Sequence, residues 1–338
     1  MWPTAELHVH IEGTLEMPLL LRLAERNGVE LPTTDSEELL ARYEFADLQS
    51  FLDLYYAHLD VLRTEDDFRE LMLAYLERAA AAGVRRAEIF FDPQSHTSRG
   101  IGMGTVIRGL ADGIAQGRAA HGIDGALILC FLRHLGGDAA LATLEEALPY
   151  RDAFIGVGLD SSEVGFPPSL FEEAFRRAGE LGLRRVAHAG EEGGPDYVWE
   201  ALDVLGAERI DHGIRSLEDA ELMAALRQRG VPLTVCPLSN RALRATPADL
   251  AEHPLPVMFD EGLVVSVHSD DPAYFGGYVD DNFAQLRAAG IVDDALAGEL
   301  AANAVASSFL DDEGKALLFA EIRDYASSIG VPVPRRAA

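Results

Sequence analysis

Residues 209–237 read RIDHGIRSLEDAELMAALRQRGVPLTVCP, and this stretch decides the fold. Its two ends, RIDHG at 209–213 and VPLTVCP at 231–237, are short apolar runs of β character. Between them LEDAELMAALRQRG at 217–230 carries the helical period and stops on the glycine expected after a helix. The unit is strand, helix, strand. Working outward, the same alternation recurs: ELHVH at 6–10, RRAEIFF at 85–91, GALILCFL at 125–132, FIGVGLD at 154–160, RRVAHA at 184–189 and LVVSVHSDD at 263–271. Helical segments such as SLFEEAFRRAGELG at 169–182 and VWEALDVLG at 198–206 separate them. Repeated units of this kind, with near-continuous apolar strands, imply a parallel sheet covered on both faces. Eight candidate strands favour closure into an α/β (β/α)8 TIM barrel over an open doubly wound sheet. No GxGxxG follows the first strand and no P-loop occurs.

The chain has 338 residues, long for one domain but within the range of barrels with insertions, so a single domain over 1–338 is expected. The insertions fall after the first strand and at the C-terminus. FADLQSFLDLYYAHLDVL (45–62) and DDFRELMLAYLERAAAAG (66–83) read as two helices. The first either forms a flap, with Phe51 or Tyr55 over a flat ligand, or simply packs on the barrel. Residues 283–329 read as further helices.

Acidic residues number 56 against 28 basic ones, a formal charge of -28. Such a surface repels phosphate, which argues against nucleic acid and anionic membranes as partners. Cys130 and Cys236 form neither a CxxC motif nor a disulfide framework. With no apolar leader or membrane-length run, a cytoplasmic location is expected. The oligomeric state stays open, and a homo-oligomer is compatible with all of this.

The chemistry gathers at strand ends. His8 and His10 alternate by two, so both imidazoles leave a strand on one face, at the end where barrels place their catalytic mouth. His188 ends the fifth strand and Asp270 the eighth. Three imidazoles and a carboxylate suit Zn2+, with room for water in an open coordination sphere; Fe2+ and Mn2+ are the alternatives. Binuclear barrel hydrolases carry a carbamylated lysine on strand four. Here that strand has none, and the sole lysine is Lys315, so one ion per subunit is expected. Glu191, three residues beyond His188, and His212, ending strand six, are candidates for moving protons. Each also reads plainly as a surface carboxylate and a hydrogen-bonding strand-end histidine. Asp271, beside Asp270, is either an Asp-Pro turn residue or a carboxyl presented to the substrate.

The ordered set HVHIEG, HAGEEG, RIDHGIRSLED, VCPLSN and VHSDDPAYFGGY, spread over positions 8 to 278, resembles the adenosine deaminase family. The resemblance implies that His8, His10, His188 and Asp270 bind zinc, that Glu191 protonates the purine beside the amino-bearing carbon, and that His212 orients and deprotonates the water. It places Asp271 on N7 and Gly190 at the substrate. Two departures matter. Adenosine-specific members have Asp where this chain has Glu12, and a glycine near Glu163. Both changes resemble the adenine-deaminase branch and imply a free base, with Glu12 and Glu163 on its N3/N9 edge. Adenosine, N6-substituted adenines and aminodeoxyfutalosine are the alternative substrates, and a different metal-dependent amidohydrolase is the alternative enzyme.

Overall fold

The computed structural model describes residues 1–338. Eight strands form one sheet in sequence order: β1 (Thr4–Glu6), β2 (Val84–Phe91), β3 (Asp124–Leu132), β4 (Phe154–Asp160), β5 (Arg184–Ala189), β6 (Arg209–His212), β7 (Pro232–Val235) and β8 (Val264–Val267). Every neighbouring pair is parallel. Helices occupy the crossovers, which is the (β/α)8 barrel expected from the repeated units.

The first and last strands are shorter than the apolar runs suggest, and side chains are the reason. The Leu7 amide donates to His268 Nδ1 at 3.1 Å, and the Ser269 amide to Glu6 Oε1 at 3.1 Å. Both ladders are interrupted there. Pairing resumes one step later, where Asp270 donates to the His8 carbonyl and His10 to the Asp270 carbonyl, each at 3.0 Å. The barrel is thus laced shut by the residues that carry the chemistry.

Within the barrel Phe90, Ile128, Cys130 and Val186 form a small apolar cluster of their own, apart from the large one formed mainly by helix–sheet packing. Charged side chains share that interior. Glu88 accepts from Arg209 Nη1 at 2.7 Å and from the Phe309 amide at 2.6 Å, and Arg86 lies 3.2 Å away. All three are buried.

The insertion after β1 holds the helices Met17–Asn27, Ser36–Leu40, Leu48–His58 and Glu65–Ala81. Leu48–His58 starts on a reciprocal Asp47–Ser50 capping box, which satisfies amides left free at a helix start. Its residues Leu48, Phe51, Leu52 and Tyr55, at helical spacing, present one apolar face. That face lies over the barrel mouth and lines the cavity there, as a flap would. The C-terminal helices are Val279–Ala288, Asp294–Ser307 and Asp312–Ile329. Asp294–Ser307 packs on β8 and β1 and covers the closing seam. No helix is long and apolar enough to cross a membrane.

Candidate active site

The strand ends bring His8, His10, His188 and Asp270 together. One ligand-type atom from each lies within 4.8 Å of those of the other three, and all four residues are buried. His10 Nε2 and His188 Nε2 stand 3.1 Å apart, while Asp270 Oδ1 is 3.3 Å from His8 Nε2 and 3.5 Å from His10 Nε2. His8 Nε2 has no hydrogen-bond partner, although it is fully buried.

Behind each imidazole stands an acceptor. His8 Nδ1 meets Thr234 Oγ1 at 2.9 Å, His10 Nδ1 faces Asp160 Oδ2 at 3.4 Å, and His188 Nδ1 faces Asp211 Oδ2 at 3.5 Å. Acceptors on the rear nitrogens keep the protons there and turn three lone pairs toward one point. An orphaned nitrogen, three converging lone pairs and a carboxylate fit a divalent cation, and the all-nitrogen-and-oxygen donor set matches zinc chemistry.

Glu191 and His212 flank this centre, His212 Nε2 lying 3.5 Å from Glu191 Oε2 and 3.8 Å from Asp270 Oδ2. Burial, then the charges of Asp270 and Glu163, push the Glu191 carboxyl well above the usual carboxylate range. It is therefore held as an acid. Burial, then the charge of His8, lowers His212 to about 3, so its ring is neutral. Asn240 contacts His212 Nδ1 at 3.1 Å, and the Asn240 amide oxygen otherwise lacks a partner. A half-turn of that amide gives its oxygen the Nδ1 proton and leaves Nε2 as a free acceptor facing the centre. Asp271 also lines the cavity, pushed up by burial and then by Asp270. Its side chain lies close over Gly13, where a Cβ would collide with it. The glycine of HVHIEG makes room for that carboxyl.

Three residues expected at the substrate lie elsewhere. Glu163 accepts from the amides of Gly190, Glu191, Glu192 and Gly193 at 2.7, 3.1, 2.7 and 2.9 Å, so it holds the turn that carries Glu191. The Gly190 amide is spent on that contact; the residue sits at φ 74°, where a Cβ would meet Val198. Glu12 is fully buried, its Oε1 accepting from the Asp92 amide at 3.1 Å and from His96 Nε2 at 2.9 Å. None of the three lines the cavity. Four backbone N–H groups within reach of one carboxylate out-compete any single contact to a ligand, which is why Glu163 turns inward.

The cavity wall contains instead Asp92, Asp160 and Ser161, at the ends of β2 and β4, with Tyr56 and Leu243. Sequence reading passed over these three, though strand-end position was a usable signal. Ser161, His212 and Asp270 share another feature: with Arg244 they are the non-glycine residues of positive φ, at 72°, 63° and 64°. Left-handed backbone at non-glycine positions gathers where a function demands a particular direction.

A (β/α)8 barrel with this buried cation-binding set at its mouth defines a metal-dependent hydrolase. The adenosine deaminase family model matches residues 3–325, and the chain belongs to that family. It is 58% identical over 326 residues to the adenine deaminase of Streptomyces coelicolor, covering 96% of this chain and 95% of that protein. The crystal structure of adenine deaminase from Arthrobacter aurescens is similar at a TM-score of 0.95 and 55% identity, over 97% of this chain and 100% of that one. An amidohydrolase from Burkholderia ambifaria, solved with bound zinc, is similar at a TM-score of 0.89 and 29% identity, over 97% and 93% of the two chains.

Proposed function

We propose that this chain hydrolyses adenine to hypoxanthine and ammonia, with one zinc ion held by His8, His10, His188 and Asp270. The reading is carried by one observation: Glu191, His212, Asp271 and the ligands His10, His188 and Asp270 line a single cavity, with His8 completing the ligand set, in a chain 58% identical to an adenine deaminase. When bound, zinc supplies Lewis-acid activation of water near neutral pH.

The protein groups do the rest. Glu191, held protonated, donates to N1 of the ring and draws electron density from C6, the carbon bearing the amino group. His212 Nε2 accepts one proton from the water adding to C6 and passes it to the departing nitrogen, so ammonia leaves; the second water proton leaves the C6 oxygen as the carbonyl forms and restores the proton that Glu191 gave to N1. Asp271 binds at N7, fixing the ring in its plane. Leu48, Phe51, Leu52 and Tyr55 cover the base and exclude bulk water, which strengthens every polar contact beneath them.

Ammonia release from adenine, adenosine, N6-alkyladenines and aminodeoxyfutalosine, assayed with metal content measured on the same protein, tests the reading. Adenine is expected to dominate and zinc to be present at one per chain. Turnover of adenosine with adenine idle rejects the substrate; a different native ion rejects zinc alone.

A further inference from the structure

With Glu12 and Glu163 both committed to backbone amides, something else must distinguish a free base from a nucleoside. We infer that Asp92, backed by Asp160, accepts the N9–H proton of the free purine and thereby selects against N9-substituted substrates. This inference rests on the adenine reading above.

The placement follows from the shape of the ring. With C6 at the cation-binding set, N1 on Glu191 and N7 on Asp271, the edge turned farthest away carries N3 and N9–H. Asp92 and Asp160 line the same cavity from the ends of β2 and β4, strands that supply none of the four cation ligands and none of Glu191, His212 and Asp271, so we set that edge against them. His10 divides the two clusters: its Nε2 points to the cation-binding set, while its Nδ1 faces Asp160 Oδ2 at 3.4 Å.

Asp92 and Asp160 are 3% and 2% exposed, and both line the cavity. Asp92 Oδ1 and Asp160 Oδ1 have no hydrogen-bond partner, and Asp160 Oδ2 faces only His10 Nδ1, at 3.4 Å. Buried carboxylate oxygens without donors are costly unless a ligand brings one. Free adenine brings N9–H. A nucleoside brings carbon at that position, removing the donor and adding bulk. Glu12 acts through Asp92 rather than on the base: its contacts to the Asp92 amide and to His96 fix the turn from which the Asp92 side chain enters the cavity.

A second cation between His10, Asp92 and Asp160, whose ligand-type atoms also lie within 4.8 Å of one another, is the competing use of this wall. It is disfavoured because a neutral His10 that turns its Nε2 lone pair to the first set keeps its proton on Nδ1, and that nitrogen then cannot ligate.

The test compares adenine with 9-methyladenine on the metal-loaded enzyme. Affinities are measured by calorimetry in a Glu191→Gln background, where the base is consumed far more slowly, with and without Asp92→Ala or the nearly isosteric Asp92→Asn. The Asp92→Ala change is expected to weaken adenine by roughly 10- to 100-fold while leaving 9-methyladenine unchanged or tighter, with Asp92→Asn intermediate. In turnover by the otherwise native enzyme, the adenine loss should fall mainly on KM. Equal loss for both bases overturns the inference, as does an unchanged preference for adenine. It is likewise overturned if native enzyme binds a second equivalent of zinc that the Asp92 variants lose. Absence of adenine turnover by native enzyme tells against the proposed reaction alone, since the affinity ratio is read without catalysis.

Discussion

Glu88 and Asp160 are carboxylates of nearly equal burial in one barrel, and the fold treats them in opposite ways. Glu88, inside the barrel, is ringed by Arg209, Arg86 and the Phe309 amide, with its carboxyl held below the usual range chiefly by those two arginines against the cost of burial. Asp160, at the mouth, has no arginine beside it; His10 Nδ1 faces its Oδ2 from 3.4 Å, and its Oδ1 has no partner. Burial, then the charge of Asp92, pushes it well above the usual range. A satisfied buried charge holds structure together. An unsatisfied one facing a cavity awaits a ligand.

The contrast can be broken by experiment, starting at the mouth. Glu191→Gln should lower turnover by about 10²- to 10⁴-fold with metal content and folding intact. The same assignment sets the pH profile. An acid whose pKa is raised keeps its proton through neutrality and loses it as pH climbs through the raised value, so kcat/KM should fall on the alkaline side. A rate that stays flat well above neutrality would remove Glu191 as the donor.

Inside the barrel the expected loss is in stability. Glu88→Ala strands Arg209 and Arg86 without their anion and should cost about 3–5 kcal/mol in urea unfolding, with kcat of the folded enzyme within about twofold of native. A catalytic defect at native stability would erase the distinction.

Glu163 stands between the two kinds of carboxylate: fully satisfied, yet part of the catalytic turn. Glu163→Ala should lower kcat by about tenfold, with a smaller effect on KM, because the turn carrying Glu191 loses its anchor while the base keeps its contacts. A KM defect at unchanged kcat would return Glu163 to the substrate edge.

Much of this was legible in the sequence, for reasons that differ by residue. The strands announced themselves as apolar runs, and His8, His10, His188 and Asp270 stood at their ends, where barrel geometry leaves one direction to point. Glu12 and Glu163 were readable as unusual, but their direction was not. A carboxylate beside a tight turn can face the ligand or the turn's own amides, and chain order does not record which. Asp92 and Asp160, followed by proline and serine, look like ordinary turn residues. The acceptors behind the ligand imidazoles, Thr234 and Asp211, were invisible because each pairing joins different strands. The ends of β1 and β8 were misplaced because side chains of Glu6 and His268 take the amides that the ladder would use.

Left-handed backbone at Ser161, His212 and Asp270 has a consequence for anyone trying to harden this enzyme against heat. Each such residue stores about 1 kcal/mol that glycine would release. At 212 and 270 that gain is outweighed, because glycine leaves the void of a buried imidazole or removes a proposed zinc ligand, so a library screened for thermal survival alone should drift toward glycine at 161 only. Ammonia production scored in every round would show whether the cavity wall needs that torsion at 161.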